Sequence, residues 1–237
     1  MNSRKLSALV RKELTHYFSS FMGYVVLFAF FAIGGFFYYL IMVQTRQASM
    51  RPVFQNLNVI LLFVTPAITM RLWSEEEKSG TAELLKTSPL TIWEIVIGKY
   101  LGVCCFFLVT LIPTFIYLAL IMATGNPDLL PIFANYLGYI LAAMSFFALG
   151  LLASTLSENQ IISAVIAFVM LLLLWVIGAA GGNVQGPFGD FLKYLSIFEH
   201  TDDFFAGIID LSHVVYFASL IFLGLFFSVK VLESKRS

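Results

Sequence analysis

Six stretches of this chain carry no Asp, Glu, Lys or Arg. They lie between His16 and Arg46, Arg51 and Arg71, Lys99 and Asp128, Asp128 and Glu158, Glu158 and Asp190, and Asp210 and Lys230. Each is close to or longer than the ~20 apolar residues a helix needs to cross a hydrocarbon core. Backbone polar groups in lipid must be satisfied within the segment, so an apolar run of this length folds as a spanning helix. Only 12% of the 237 residues are charged and 59% are hydrophobic. A soluble domain has about 25% charged residues, so this chain has too little polar surface to fold in water. The expectation is an all-α membrane protein of one domain over residues 1–237, with spans near 23–43, 53–70, 98–122, 133–156, 160–180 and 214–229. The second span has the weakest signal, because Gln55, Asn56 and Asn58 make one end polar.

Lysine and arginine are distributed unequally between the connecting segments. With the N-terminus inside, eleven fall on that side and only Arg46, Arg51 and Lys193 on the other, which predicts a cytoplasmic location for both termini. No charge lies near the middle of a span, which argues against a proton-coupled secondary transporter. A formal net charge of zero suggests no nucleic-acid partner. Cys104 and Cys105 are adjacent within an apolar run and read as packing residues. The first residues read as an amphipathic helix rather than a cleavable signal.

That helix covers residues 1–20. Leu6, Leu9, Val10, Leu14, Tyr17 and Phe18 share one side, with Arg4, Lys5, Arg11 and Lys12 largely outside it. The pattern predicts an interfacial helix on the cytoplasmic leaflet. Glu13 falls inside the apolar stripe. Either its carboxylate reaches sideways to water, or it has a cationic partner: Arg71, Lys78 or a residue of a docked subunit.

Residues 71–97 form the largest expected cytoplasmic segment. Glu75, Glu76 and Glu77 end at Lys78-Ser79-Gly80, a turn signal. Thr81 is placed to N-cap a short helix over 82–87, with Glu83 in its first turn, and Pro89 stops it. Thr91 and Glu94 form a capping box for the next helix. A two-turn helix exposing Leu84 and Leu85 is not stable by itself, so it reads as a docking element or, failing that, as a surface loop. Ser157-Glu158-Asn159-Gln160 reads as a second capping box. Residues 181–213 contain Gly181, Gly182, Gly186, Pro187 and Gly189 and two amphipathic stretches rich in Phe, Leu and Ile. They are expected to be two outer re-entrant helices that act as a lid or gate. Gly178 and Gly182 have the spacing for a close helix contact.

No Gly-x4-Gly-Lys-Ser/Thr loop is present, His16, His200 and His213 are far apart in sequence, and no catalytic or metal-ligating arrangement stands out. The chain is therefore expected to be no enzyme and to bind no cofactor or metal; any ATP and Mg would sit on a partner. An ATP-driven exporter subunit is the leading reading. A non-transport scaffold or mechanotransmitter for an extracytoplasmic machine is the alternative, and a secondary transporter or channel fits less well.

The run Glu76-Glu77-Lys78-Ser79-Gly80-Thr81-Ala82-Glu83-Leu84-Leu85, with Ser88-Pro89 and Gly98-Lys99, resembles the signature of ABC-2 type permeases, the six-span membrane subunits of type V ABC exporters. Arg11-Lys12-Glu13-Leu14 is similar to the same family's N-terminal helix. Gly125-Asn126-Pro127-Asp128, Ser157–Gln160 and 204–210 resemble the branch of gliding-motility-type and nitrous-oxide-reductase-maturation-type permeases. The resemblance implies a bacterial-type cytoplasmic membrane location, an ABC ATP-binding subunit and a second permease subunit, identical or paralogous. It implies ATPase docking through Arg11, Lys12 and Glu13 and through Glu77, Gly80, Thr81, Glu83, Leu84, Leu85 and Pro89, the coupling helix, with Glu158 on the same face. It also implies an outer gate at the helices bearing Phe188, Phe191, Phe204 and Phe205. Only 43–52 connect the first two spans, so a substrate-receiving domain would belong to an extracytoplasmic accessory protein.

Overall fold

In a computed structural model of the chain, residues 3–45, 49–88, 90–125 and 127–235 are described. Arg46, Pro89, Asn126 and Arg236 lie outside the described residues. All regular structure among the described residues is helical: α1 (Ser3–Ser19), α2 (Phe21–Thr45), α3 (Arg51–Thr69), α4 (Ser74–Lys78), α5 (Thr81–Thr87), α6 (Ile92–Leu111), α7 (Phe115–Thr124), α8 (Leu129–Leu156), α9 (Gln160–Asn183), α10 (Pro187–Leu195), α11 (Ile197–Phe205) and α12 (Leu211–Ser234). Six segments are long and apolar enough to span a membrane: Gly23–Gln44, Arg51–Lys78, Ile92–Ala123, Leu129–Leu156, Gln160–Asn183 and Leu211–Ser234.

The bundle is built around α8, which packs on α3, α6, α9, α11 and α12. Its inward face is rich in small residues: Ala134, Gly138, Ala142, Ala143, Ala148, Gly150 and Ala153. Between apolar helices association depends on close packing rather than on exclusion of water, and small residues permit that approach. Gly150 receives Thr69 of α3, and Gly224 of α12 lies against the backbone of Ala148. In contrast, α2 and α9 expose most of their apolar surface.

The third span is broken. Pro113 has no N–H to donate and interrupts the ladder, so α6 passes through a 3-10 turn over Ile112–Thr114 into α7. The Thr114 hydroxyl donates to the Leu111 carbonyl at 2.6 Å, which meets one of the freed acceptors. The sequence reading ran this span straight through, although the proline is the usual cause of such a kink.

The two ends of the bundle differ in the elements they carry. One end bears α1, α4, α5 and the α8–α9 turn, and the other bears α10 and α11. The apolar stripe of α1, assigned to the leaflet from sequence, packs on α6: Leu9 is buried, and Tyr17 stacks on Phe106 with centroids 4.7 Å apart.

Candidate functional site at the α5 end

One hydroxyl pins the junction between α3 and α4. Ser154 of α8 accepts the N–H groups of Trp73 at 2.9 Å and Ser74 at 3.1 Å, and donates to the Met70 carbonyl at 3.1 Å. It thereby satisfies backbone groups left over where α3 ends and α4 begins. The chain then turns at Gly80, whose φ of 74° suits glycine, and enters α5. Gly80, not Thr81, is the N-cap residue; Thr81 is the first residue of the helix, and its hydroxyl bonds the Glu76 carboxylate. The left-handed turn starts the helix one residue early and brings Thr81 back over α4. The Thr91–Glu94 capping box forms as read from sequence: Thr91 N–H donates to Glu94 Oε2 at 3.1 Å and Glu94 N–H to Thr91 Oγ1 at 3.2 Å.

A buried ion pair lies beneath α4 and α5. Lys99 Nζ of α6 contacts Glu13 Oε1 of α1 at 2.8 Å and Glu76 Oε1 of α4 at 3.1 Å, and its side chain is 2% exposed. Glu76 also takes Lys12 at 3.2 Å. One carboxylate thus links α1, α4, α5 and α6. The partner of Glu13 is neither of the cations suggested by sequence: Arg71 bonds Glu75 and Ser20, and Lys78 is exposed. Gly98 and Gly102, one turn apart on α6, make the pairing possible, because a Cβ at either would overlap Leu9 or Glu13. That glycine stripe was the signal available in the sequence. Next to the pair is a cavity of about 210 Å³ lined by Glu13, His16, Arg71, Glu75, Glu76 and Lys99. Removing one member of a buried pair costs ~3–5 kcal/mol, because the other charge is stranded.

The other sequence-derived docking residues divide into anchored and exposed groups. Glu77 pairs with Lys235 of α12 at 3.1 Å. Arg11, Glu83 and Glu158 are exposed, and Leu84 is 71% exposed. Leu85, expected at the surface, packs partly into the core beside buried Ala82, since a seven-residue helix lying on the bundle turns only one side outward. Pro89 lies outside the described residues. The α8–α9 turn is capped by Asn159, which accepts from Ile161 N–H at 2.9 Å, instead of by Ser157.

The proposed gate residues divide in the same way. Phe188 and Phe191 on α10 are exposed, whereas Phe204 and Phe205 on α11 are fully buried. Phe204 fills the space above Gly138, and Phe205 stacks on Phe54 at 6.2 Å. The polar end of the second span is bonded to α11: Asn58 donates to Thr201 at 3.1 Å and Gln55 to Asp202 at 3.2 Å. Gly178 and Gly181, rather than Gly178 and Gly182, make the close contacts, against Ser196 and α10; Gly182 faces open space. His200 and His213, far apart in sequence, meet at 2.6 Å. No group of three or more His, Cys, Asp or Glu among the described residues is placed to hold a metal.

The family profile of the ABC-2 family transporter proteins matches residues 53–198. The match runs from α3 into α11 and includes α4, α5 and Lys99; α1 with Glu13, and α12, lie outside it. No curated protein matches the chain. With six membrane-crossing helices and a family match over more than half its length, the chain belongs to the ABC-2 family of transporter proteins, as a multi-pass permease subunit.

Proposed function

We propose that this permease works as the membrane half of an ATP-driven exporter, with α5 as the coupling helix for a separate ATPase subunit. The observation that carries this reading is the pairing of an exposed Leu84 with a buried anchor directly behind it. Leu84 projects from a two-turn helix and is 71% exposed. The same helix is tied through Thr81 and Glu76 to Lys99 at the start of the third span, and through Glu76 to α1. A push on α5 is therefore passed to two helices by charge-assisted bonds, which are short and directional. The excess of Lys and Arg at this end supports a cytoplasmic location for it and for both termini.

ATP and Mg belong to the partner, since this chain has no phosphate-binding loop. A second permease subunit, identical or paralogous, completes the path, and the membrane is a bacterial-type cytoplasmic one. The gliding-motility and nitrous-oxide-reductase-maturation branch remains our assignment from the local motifs named above. Arg11, Lys12, Glu83 and Glu158 provide charged contacts at the same end as Leu84, which tune association rate and orientation more than affinity. At the opposite face, α10 with Phe188 and Phe191 is the movable part of the gate, and Phe204 and Phe205 are its fixed seat.

Burying Leu84 contributes about 1.5–3 kcal/mol before ordering costs. Leu84→Asp is expected to release the ATPase subunit on co-purification while leaving the permease folded, within about 0.5 kcal/mol of wild-type stability. Retained ATPase association and transport in this variant would remove α5 from the mechanism.

A further inference from the structure

At the α11 end, four groups form a chain whose proton count is set by geometry. His200 Nε2 lies 2.8 Å from the Tyr194 carbonyl. A carbonyl only accepts, so this nitrogen carries a hydrogen. His213 Nε2 lies 2.8 Å from Asp203 Oδ2, and an ionised carboxylate likewise only accepts. Between the rings, the two Nδ1 atoms are 2.6 Å apart, a distance that requires one hydrogen between them. Two rings therefore share three hydrogens, one more than two neutral imidazoles hold, and the extra charge balances Asp203.

We propose that His200, His213 and Asp203 form a single-proton clasp that fastens α11 to the first turn of α12 and responds to the pH of the aqueous compartment at this end. With a second proton, two N–H groups face each other at hydrogen-bond distance between two cations; with none, two lone pairs do. Only the singly loaded pair attracts. The clasp matters because α11 also holds Asn58 and Gln55 of α3 through Thr201 and Asp202, and seats Phe204 over Gly138. Opening it frees one end of the helix that ties span two to span six. This inference is independent of any ATPase partner.

The surroundings support one ring as the neutral member. His200 stacks on Tyr216 with centroids 3.8 Å apart, and burial pushes its pKa below the ordinary imidazole value, against the opposing hydrogen bond to the Tyr194 carbonyl and the opposing charge of Asp203. The shared hydrogen lies between the two rings, and His213 is the ring that touches Asp203. The other charges on neighbouring elements are Glu199 and Asp202 on α11, Asp190 and Lys193 on α10, Asp210 at the start of α12 and Arg51 on α3. Neither α8 nor α9 has a charged residue. The α8 tyrosines bond elsewhere, Tyr136 to Thr114 and Tyr139 to the Leu57 carbonyl.

The test is hydrogen exchange of residues 197–216 in the full chain in lipid nanodiscs from about pH 5 to about pH 8, the range in which histidines titrate, corrected for the intrinsic pH dependence of exchange. A depressed His200 pKa means that the closed form binds the second proton less well than the open form. For this second proton, protection is therefore retained at the ordinary value of about 6.5 and falls as pH drops through the lowered one; loss of the shared hydrogen at higher pH opens the clasp from the other side. The fall is at most about tenfold per pH unit for one linked proton. His200→Gln keeps an acceptor for His213 and a donor for Tyr194 but does not titrate, so the acid limb should vanish. Flat protection in the wild type, or an acid limb that survives in His200→Gln, overturns the clasp. Should that variant lose protection at every pH, ring 15N shifts of the wild type decide: one imidazolium and one neutral Nε2–H ring at neutral pH support the clasp, and two neutral rings or two independent titrations refute it.

Discussion

The two ends of this permease are fastened in different ways. At the α5 end, the short helices are tied to the spans by charge: Lys99 holds Glu13 and Glu76, Glu77 holds Lys235, and a polar cavity lies among them. At the α11 end, the short helices are seated by volume and by side-chain amides, Phe204 over Gly138, Phe205 on Phe54, Asn58 to Thr201 and Gln55 to Asp202, with paired charge confined to the His200–His213–Asp203 clasp. A charged joint keeps its direction when pushed and can re-pair after a shift, which suits an element that receives force. An aromatic joint depends on close fit and yields only by opening. The comparison teaches that the same bundle uses directional contacts where motion would enter and close packing where the path would be sealed.

The largest effect should come from Lys99→Met. It removes the cation, strands Glu13 in a buried site and leaves Glu76 with Lys12 and Thr81 alone, at an expected cost of about 3–5 kcal/mol. Denaturant titration in detergent, followed by a tryptophan signal, measures it. Combining Lys99→Met with Glu13→Gln should recover part of the loss, because one stranded charge is gone. If Lys99→Met costs under about 1 kcal/mol, the typical worth of a surface pair, the α5 end is not pinned by charge and the contrast between the ends fails.

A smaller effect is expected at the other end. Phe204→Leu keeps an apolar group above Gly138 but leaves part of the ring volume empty, for about 1–2 kcal/mol. The loss should not depend on salt, since no charge is touched. A cost equal to that of Lys99→Met would mean that packing and charge contribute alike, and the distinction would need another basis.

The smallest is Thr91→Ala, which removes one half of the capping box where the chain passes from α5 into the third span. Caps of this kind contribute about 1 kcal/mol. Hydrogen exchange over the first turn of α6 should rise while the amides near Lys99 stay protected. Equal loss of protection at both places would show that the cap and the ion pair act as one unit, which would sharpen the picture of a rigid joint.

Features set by near neighbours were legible in the sequence. The apolar runs marked the six spans, and Thr91 with Glu94 announced a helix start three residues long. Gly80 marked the turn before α5, though the sequence placed the cap one residue late, because a glycine in the left-handed region lets the helix begin at Thr81. Pro113 carried a local signal for the break in the third span that the straight reading passed over.

What the sequence by itself determined about this protein follows from interactions within a few residues: where helices start and stop, which are apolar enough to cross a bilayer, and how charge divides between their ends. The partners across the fold were decided only by tertiary structure. Glu13 and Lys99 are 86 residues apart, and apart from the glycines beside Lys99 nothing local distinguishes it from Arg71 or Lys78 as the counter-ion. The choice came from Gly98 and Gly102, which let α1 approach α6 closely enough for Glu13 to meet Lys99. His200 and His213 likewise became a pair only when α11 folded back against α12, and Phe204 became core only because Gly138 left it room. A helix periodicity states which side of a helix is apolar. Which surface that side meets depends on how closely two backbones can approach, and that is a property of the packed bundle.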